Sequence, residues 1–355
     1  MKGNKLAILV AVLAVLIGII VISNKLGNKK PSEAEQKFFP SLTEQSIGSI
    51  TINEGENRVK LRKKGDVWVV SKDGGTSPAQ TAAAGSLLGT GDSSSAPSPT
   101  EAVEYPVDSA SITAALEKVT SLKKTALISE NPEKQSVFEV DSAKGISVVL
   151  SDGTGKTVGS FLIGKSGPDY NSNYIRVVGS NSVYMASGGI RYSFFTDLDR
   201  WRDKAIVRFD KTTAKGLTLN KKEGGMITIA HADSGNPWQI LEPIQSPAKT
   251  DAVNGVLEKL STLTASDFQD EVIADTAMGF DKPELVVTVS FNNGSSRNII
   301  FGKKNSESKY WVKTDGKDQL FLITEYNVNQ INKKLEDLKG EPPVQSISPD
   351  STKKK

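Results

Sequence analysis

Residues 109–122 read SASITAALEKVTSL, and residues 250–263 read TDAVNGVLEKLSTL. In both stretches, four apolar residues recur at spacings of four, three and three, which predicts a helix with one buried stripe. Each apolar residue of the second stretch lies 141 positions after its counterpart in the first. Four coincidences at one offset indicate an internal duplication. The chain is therefore predicted to contain two copies of one unit.

The patterns around the two helices repeat as well. Three short strand patterns precede each helix, and a hairpin followed by two further strands comes after it. The predicted strands are 49–52, 59–61, 67–70, 146–150, 158–163, 174–178 and 183–185 in the first copy, and 216–219, 226–230, 238–240, 285–291, 297–301, 310–313 and 320–323 in the second. Closing helices are predicted over 194–203 and 328–338, and Asp108 and Thr250 are the predicted N-caps of the two central helices.

These patterns predict an α+β fold: two pseudo-repeats, each a mostly antiparallel β-sheet with packed helices on one side, after an N-terminal transmembrane helix. The predicted divisions are a membrane anchor at 1–23, a tether at 24–45, a first repeat at 46–210, a second repeat at 211–339 and a disordered tail at 340–355. The first repeat contains a Ser/Ala/Gly-rich insertion over 77–104 that lacks Lys and Arg. It should be flexible, because it buries too little apolar surface to offset the entropy of ordering.

The apolar run LAILVAVLAVLIGIIVI occupies residues 6–22 without a charge. As a helix it would rise about 25 Å, near the lower limit for spanning a bilayer core. No A-x-A pattern follows it, which favours an uncleaved signal anchor. Lysines on both sides leave the orientation open on charge alone. The short N-terminal tail favours export, so we expect a single-pass membrane protein with the bulk of the chain extracytoplasmic, in the periplasm or on the outer face of the membrane.

Composition excludes several classes of protein. The 44 Lys and Arg against 41 Asp and Glu give a net charge of +3, which does not indicate a nucleic-acid partner. Cysteine is absent, which excludes disulfides, thiolate metal sites and a cysteine nucleophile. One histidine, His231, excludes a multi-histidine metal site.

Two short motifs resemble ligand loops but lack required residues. The GKT at 155–157 resembles the end of a phosphate-binding loop, yet the opening glycine is missing and the segment joins two strands, so a turn is favoured. Asp169, Asn171 and Asn173 have the alternate spacing of a calcium loop without its glycine and its bidentate acid. A polar loop is favoured there, with a weak cation site as the alternative.

Nucleophile motifs are equally incomplete. S-x-x-K occurs at 121–124 and 306–309, but the companion elements of penicillin-binding enzymes are absent. His231 lies beside Asp233 and Ser234, which invites a catalytic triad, although the segment has the composition of a turn.

The run 191–208 interleaves basic and aromatic residues and is the best candidate surface for a partner. The interspersed Asp197, Asp199 and Asp203 favour local ion pairs on a helix that packs its aromatics inward. We assign no catalytic, cofactor-binding or metal-binding residue. A pair of glycosidase-type carboxylates is still an alternative, since Asp and Glu are plentiful.

The second copy carries several recognisable motifs, and copy one closes with a further one. They are Trp238, Pro243, Thr250-Asp251-Ala252, Leu257-Glu258-Lys259-Leu260, Met278-Gly279-Phe280-Asp281-Lys282-Pro283, Phe301-Gly302-Lys303, Tyr310 and Asp199-Arg200-Trp201-Arg202-Asp203-Lys204. With these residues the chain resembles the bacterial membrane-anchored family known as domain of unknown function 4340, over most of its length after the anchor. Copy one departs from the pattern with Phe138-Glu139-Val140-Asp141 and the long insertion.

The resemblance implies an envelope-side accessory protein, because similar proteins are encoded near ABC-transport components of the gliding-motility auxiliary type. It implies no catalytic residue and no cofactor. We therefore expect a non-enzymatic accessory or binding protein of a cell-envelope or ABC-type transport system, with the bilayer as one partner through residues 6–22 and with transport or envelope proteins as others. The alternative is an envelope hydrolase that acts on glycan or peptide through carboxylates. A soluble ligand receptor is a third hypothesis.

Overall fold

The computed structural model describes residues 36–72, 103–231 and 237–341. The predicted membrane anchor over residues 6–22, nearly all of the insertion and nearly all of the tail lie outside these ranges. Within the described residues, no helix is both long enough and apolar enough to cross a bilayer.

The chain divides into two compact units at the bond between Asp203 and Lys204. We call them repeat one and repeat two. The division falls before the predicted one at residue 210, because the segment after Lys204 belongs to the second core: Ile206 and Val207 are buried there.

The secondary structure of repeat one consists of nine strands, one α-helix and several 3₁₀ turns among the described residues. The strands and the helix are β1 (Ser49–Glu54), β2 (Asn57–Lys64), β3 (Val67–Lys72), β4 (Tyr105–Pro106), α1 (Ser109–Ser121), β5 (Ala126–Ser129), β6 (Ile146–Ser151), β7 (Thr157–Ser166), β8 (Ser172–Val177) and β9 (Val183–Ser187). The 3₁₀ turns are Glu44–Ser46, Pro132–Lys134, Ile190–Ser193 and Leu198–Arg200.

Repeat two has the same sequence of strands, with more helix after them. Its described elements are a 3₁₀ turn (Lys211–Thr213), β10 (Ala214–Lys221), β11 (Gly225–Ala230), β12 (Gln239–Glu242), β13 (Ser246–Pro247), α2 (Thr250–Ser261), β14 (Asp267–Gln269), α3 (Asp275–Met278), β15 (Leu285–Phe291), β16 (Ser296–Lys304), β17 (Lys309–Thr314), β18 (Leu320–Thr324), α4 (Glu325–Ile331) and α5 (Leu335–Leu338). Every strand predicted from the sequence overlaps an observed one.

The two sheets have one topology. In the described residues the strand order is β4-β3-β2-β1-β6-β7-β8-β9-β5 in repeat one, and β13-β12-β11-β10-β15-β16-β17-β18-β14 in repeat two. Adding nine to each strand number converts the first order into the second, and neighbouring strands pair antiparallel. In each sheet the central helix follows one edge strand and leads to the strand at the opposite edge. The prediction of two mostly antiparallel pseudo-repeats is confirmed.

Each central helix packs its apolar stripe onto one face of its sheet. The four buried residues of α1 are Ile112, Ala115, Leu116 and Val119, and those of α2 are Val253, Val256, Leu257 and Leu260. They join the inward-facing strand residues in one core per repeat. Burial of one such Leu or Ile side chain stabilises the fold by roughly 2 kcal/mol.

A second segment of each repeat crosses the opposite face of the sheet. A Cβ placed on Gly164 would lie 2.1 Å from the carbonyl oxygen of Phe138, and a Cβ placed on Gly302 would lie 2.2 Å from that of Met278. Glycine therefore lets the segment lie directly on β7 in repeat one and on β16 in repeat two. Since α3 ends at Met278, this short helix lies on the face opposite α2, whereas helices were predicted on one side only.

The predicted helix over 194–203 is wrong, because side chains take its backbone hydrogen bonds. The carbonyl oxygen of Phe195 accepts from the indole nitrogen of Trp201 at 2.9 Å. The amide of Asp199, which that carbonyl would bind in a helix, donates to the carboxylate of Asp197 at 3.1 Å. These local bonds compete with helix and leave only 3₁₀ turns.

The predicted helix over 328–338 is observed as two helices, α4 and α5. Asn332 leaves the helical conformation with a ψ of 61°. The carboxylate of Asp337 then accepts from the amide of Lys334 at 3.0 Å, which starts a new helix.

One predicted cap is confirmed and the other is wrong. Asp108 caps α1, and its Oδ1 accepts from the amide of Ser111 at 2.9 Å. Helix α2 has Lys249 as its N-cap, without a side-chain hydrogen bond, and Thr250 is its first helical residue.

Candidate functional site

The GKT segment forms part of the hairpin turn between β6 and β7, as predicted. The Oδ1 of Asp152 accepts from the hydroxyl of Thr154 at 2.7 Å and from the amides of Thr154 and Lys156 at 2.9 and 3.0 Å. The hydroxyl of Thr154 is the main reason that the pKa of Asp152 lies below its ordinary value. The amides expected to bind a phosphate thus bind a carboxylate of the same turn.

The calcium-like motif is a polar loop in which neighbouring amide and hydroxyl groups bind the carboxylate of Asp169. The Oδ1 of Asp169 accepts from the hydroxyl and amide of Ser172 at 2.5 and 2.9 Å, and from the amide of Asn171 at 3.2 Å. The Ser172 hydroxyl is the main cause that lowers the pKa of Asp169. Asn173 is buried and accepts from the amide of Arg191. Within the described residues, no three His, Cys, Asp or Glu side chains are grouped to hold a metal.

Lys309 of the second S-x-x-K motif is not suited to act as a base, and Lys124 of the first lies against an aromatic ring. Lys309 binds the carboxylates of Asp267 and Glu307, and the hydrogen bond to Asp267 is the main cause that raises the pKa of Lys309. A general base must be neutral to accept a proton, and a raised pKa keeps this amine charged. The Nζ of Lys124 lies 4.6 Å from the centre of the Tyr184 ring.

His231 takes part in packing at the β10–β12 side of repeat two. Its ring stands edge to face against Trp238, with the ring centres 4.2 Å apart. Its Nε2 lies 3.0 Å from the carbonyl oxygen of Ala214. The predicted triad partners Asp233 and Ser234 lie outside the described residues.

The basic and aromatic run at the end of repeat one is mostly engaged within the fold. Arg191 forms an ion pair with Glu54 at 2.5 Å. Arg202 is 1 % exposed, stacks 3.6 Å from the ring centre of Tyr105 and binds Asp199 at 2.9 Å. The Arg202–Asp199 pair and the burial of Phe194 and Trp201 agree with the predicted local ion pairs and inward packing, whereas Tyr192 is exposed and no α-helix carries these residues.

The carboxyl groups give no positive sign of acid catalysis in the described part of the chain. None of its Asp or Glu residues is among the buried side chains. The carboxyl groups with a perturbed pKa, Glu104, Asp152, Asp169 and Asp210, are all shifted downward. A hydrolytic general acid requires a raised pKa.

Repeat two carries an open groove between α2 and the pair α4 and α5, with a volume of about 710 Å³. Three cations and three acids line it, so its walls are charged but balanced. These residues are Lys249, Asp251, Glu258, Lys259, Lys333 and Asp337. Pockets for small organic ligands are mostly apolar, whereas the rim of a protein interface is polar. The groove thus has the chemistry of a surface for a protein partner.

The lining of the groove also includes aliphatic residues, a glycine and an aromatic residue. Ala252, Gly255 and Val256 of α2 line it, and no atom lies within 4 Å of a Cβ placed on Gly255. Tyr326 at the start of α4 is 71 % exposed. A rigid, amphipathic ring in such a groove is suited to anchor a partner's side chain.

The wall opposite α2 is supported from behind. The ammonium group of Lys221 donates to the carbonyl oxygen of Lys333. Burial is the main cause that lowers the pKa of Lys221, and the nearby Asp337 and Glu336 oppose this shift. Across the groove, Lys249 donates to the carbonyl oxygen of Glu336 at 3.3 Å.

A second surface lies on repeat one, in a strand that carries none of the motifs described above. Strand β2 directs four cationic side chains to the sheet face opposite α1, while Val59 and Leu61 between them are buried. We call these residues the cationic strip. They are Arg58, Lys60, Arg62 and Lys64. The alternation in NRVKLRKK was the signal that could have revealed it.

Comparison with known families gives one match. A family model described as Domain of unknown function (DUF4340) matches residues 99–283 and 238–345. The two matches begin 139 positions apart, close to the 141-residue spacing of the central helices. No curated protein matches the chain.

Proposed function

The chain belongs to the family described as Domain of unknown function (DUF4340), and from this premise we propose that it is a non-enzymatic, membrane-anchored accessory protein of a cell-envelope or ABC-type transport system. Residues 6–22 are the anchor, and the bulk of the chain is extracytoplasmic. The family description names no activity, so the proposal depends on the residues of this chain.

The groove of repeat two is the observation that carries the proposed role. Its balanced charges, its small lining residues and the exposed ring of Tyr326 suit a protein partner. In contrast, the motifs that resemble catalytic or ligand loops are hydrogen-bonded within their own turns. The groove therefore supports a binding role better than the loop motifs support a catalytic one.

The anchor is supported by composition. Seventeen consecutive residues without a charge are near the minimum for a bilayer span, and such a run has no polar face to present to a soluble partner. An anchored protein with a partner-binding groove is the arrangement expected of an accessory subunit that stays beside a membrane transporter.

Affinity capture of the full-length chain from cross-linked membranes, followed by mass spectrometry, tests the proposal. The test variant combines Tyr326→Ala with Lys259→Glu, which removes the aromatic anchor and reverses one groove charge. Loss of an anchoring Tyr typically weakens an interface by about 2 kcal/mol, roughly thirty-fold. Tyr170→Ala is the matched control, because this tyrosine of repeat one is 82 % exposed and lies outside both the groove and the run 191–208.

We expect transporter subunits to be recovered with the unmodified chain and with the control, and to be lost with the groove variant. Equal recovery with the groove variant would reject the groove as the contact surface. Failure to recover any transporter subunit with the unmodified chain would contradict the accessory role.

A further inference from the structure

The cationic strip has a regular geometry. Its four side chains occupy alternate positions of β2 and point to the face opposite the helix. Alternate side chains of a strand lie about 7 Å apart, so the four charges extend over about 20 Å. This row is long enough to contact several anionic groups at once.

The neighbouring strands do not place acids directly opposite the strip. Strand β1 pairs with one side of β2 and strand β3 with the other. Every residue that lies directly opposite a strip residue is uncharged. These residues are Ser49, Thr51, Asn53, Val67, Val69 and Ser71.

One carboxylate is bound to the strip from another part of the chain. Glu104, just before β4, forms ion pairs with Arg62 and Lys64. Burial would raise the pKa of Glu104, but the hydrogen bonds from Lys64 and Arg62 outweigh it and the pKa is lowered. This single carboxylate is shared by two cations, and Lys60 forms no ion pair with a described residue, so positive charge is in excess along this part of the strand.

The position of β2 in the sheet indicates that the four cations do more than prevent pairing with strands of other molecules. Charged residues often prevent pairing at a sheet edge, but β2 is the third strand from the edge. Like charges in a row repel one another, and an anionic surface removes that repulsion. The strip is therefore arranged to meet negative charge.

The sequence places the strip near a membrane surface. Phe38 is buried in the core of repeat one, and the proposed anchor ends at Ile22. Fully extended, the 15 residues between them span at most about 55 Å. A tether of this length keeps the strip at a high effective concentration next to lipid headgroups.

We propose that the cationic strip docks repeat one on the membrane by binding anionic phospholipid headgroups. This inference rests on the proposed anchor and adds the orientation that the anchor alone does not give. Each Lys or Arg near an anionic surface strengthens binding about five-fold, and salt screens the attraction over about 10 Å.

Energy transfer from the protein to labelled lipids measures this docking. The chain has no cysteine, so Val67→Cys, opposite Lys64 on the same sheet face, gives one fluorophore site beside the strip. Thr113→Cys on the exposed side of α1 reports on the other face of the same repeat. The full-length labelled chain is incorporated into vesicles of phosphatidylcholine alone or of equal phosphatidylcholine and phosphatidylglycerol, and vesicle flotation is recorded in parallel.

We expect energy transfer at position 67 to rise in the anionic vesicles and to fall with added salt, with a smaller change at position 113. The test variant is Arg58→Gln, Lys60→Gln, Arg62→Gln and Lys64→Gln, which should lower the docked-to-undocked ratio at least about tenfold. The control variant removes the same charge on and beside α1, on the other side of repeat one, through Lys37→Gln, Lys118→Gln, Lys123→Gln and Lys124→Gln, and should dock like the unmodified chain.

The outcomes separate this inference from the anchor. Flotation with both kinds of vesicle, without any response of position 67 to phosphatidylglycerol, would overturn the docking and leave the anchor in place. Flotation only with anionic vesicles would contradict the anchor and support the strip. Flotation with neither would overturn both.

Discussion

Strands β2 and β11 occupy the same place in the two sheets but differ in chemistry. Both pair with the first strand of their repeat and bury alternate aliphatic residues under the central helix. On the outer face, β2 presents the cationic strip, whereas β11 presents Met226, Thr228 and Ala230. The inner face is conserved in character between the two copies, whereas a row of cations is present on the outer face of repeat one and not on that of repeat two.

The ends of the repeats differ in the same way. After β9, repeat one continues in 3₁₀ turns, whereas repeat two continues from β18 into α4 and α5 and thereby forms a wall of the groove. The duplicated sheet thus supports a basic surface in repeat one and a charged groove, the proposed partner site, in repeat two. The following predictions examine which features the copies share and which they do not.

The largest effect is expected at the shared close approach on the outer face. Gly164→Ala and Gly302→Ala should each destabilise their repeat by about 3 kcal/mol, because the new methyl group overlaps a backbone carbonyl oxygen. Urea denaturation followed by hydrogen exchange of each repeat measures the loss. Gly153→Ala is the control, since no atom lies within 4 Å of its Cβ position. A loss in one copy only would show that the close approach is not equivalent in the two repeats.

The next largest effect on stability is expected at a position that has a left-handed backbone in both repeats but a different residue in each. Gly279 has a φ of 78°, and Glu139 of repeat one has a φ of 58° in the corresponding segment. Gly279→Ala should cost about 2 kcal/mol, because the left-handed conformation disfavours a Cβ and the Lys303 amide lies 2.9 Å from it. Glu139→Gly should stabilise repeat one by about 0.5 kcal/mol, since relief of strain exceeds the added chain entropy.

Thermal denaturation of these two variants checks the signs. Stabilisation by Gly279→Ala, or a large loss from Glu139→Gly, would contradict the equivalence of the two segments.

A smaller effect is expected at the starts of the central helices. Asp108→Ala removes a side-chain cap and should cost about 1 kcal/mol. Lys249→Asp should gain up to about 1 kcal/mol, because Lys249 has the extended backbone of an N-cap without a side-chain acceptor. Urea midpoints of both variants give the comparison. Loss of stability with Lys249→Asp would indicate that contacts of this lysine in the groove outweigh the missing cap.

The smallest effect is a pH dependence confined to repeat one. The pKa of Glu104 is lower in the fold than its ordinary value of 4.5. Its ion pairs therefore stabilise repeat one above that value and lose this contribution as the pH falls through the lowered pKa. Because Arg62 and Lys64 are half-exposed, the contribution is at most about 1 kcal/mol. Relative to Glu104→Gln, the unmodified chain should lose stability between pH 5 and acid unfolding, and equal profiles would contradict the pair.

Periodicity in the sequence was sufficient to predict the main strands, both central helices and the duplication. Four short edge strands, β4, β5, β13 and β14, were missed because two to four residues carry too little pattern. The helix predicted over 194–203 failed because side chains of the segment itself, those of Trp201 and Asp197, take up its backbone hydrogen bonds.

The two surfaces differ in how far the sequence could reveal them. The cationic strip can be predicted from the sequence once β2 is assigned as a strand, because cationic and buried residues alternate along it with a period of two. The groove cannot be predicted from the sequence. Ala252 and Gly255 line it together with Tyr326, which follows them in the chain only after the strands β14 to β18. Local spacing carries no information about this arrangement.

Lysine acetylation is the most direct test of the assignment of the strip to lipid and of the groove to a protein partner. The acetylation rates are measured by mass spectrometry on the full-length chain, first in native membranes and again after purification in detergent. Lys60 and Lys64 report on the strip, and Lys249 and Lys259 report on the groove. Lys123 and Lys215 are exposed controls outside both surfaces. We expect all four surface lysines to react more slowly in the membrane than in detergent, with the controls unchanged. Equal rates in the two conditions at strip and groove would contradict the assignment of repeat one to the lipid surface and of repeat two to a protein partner.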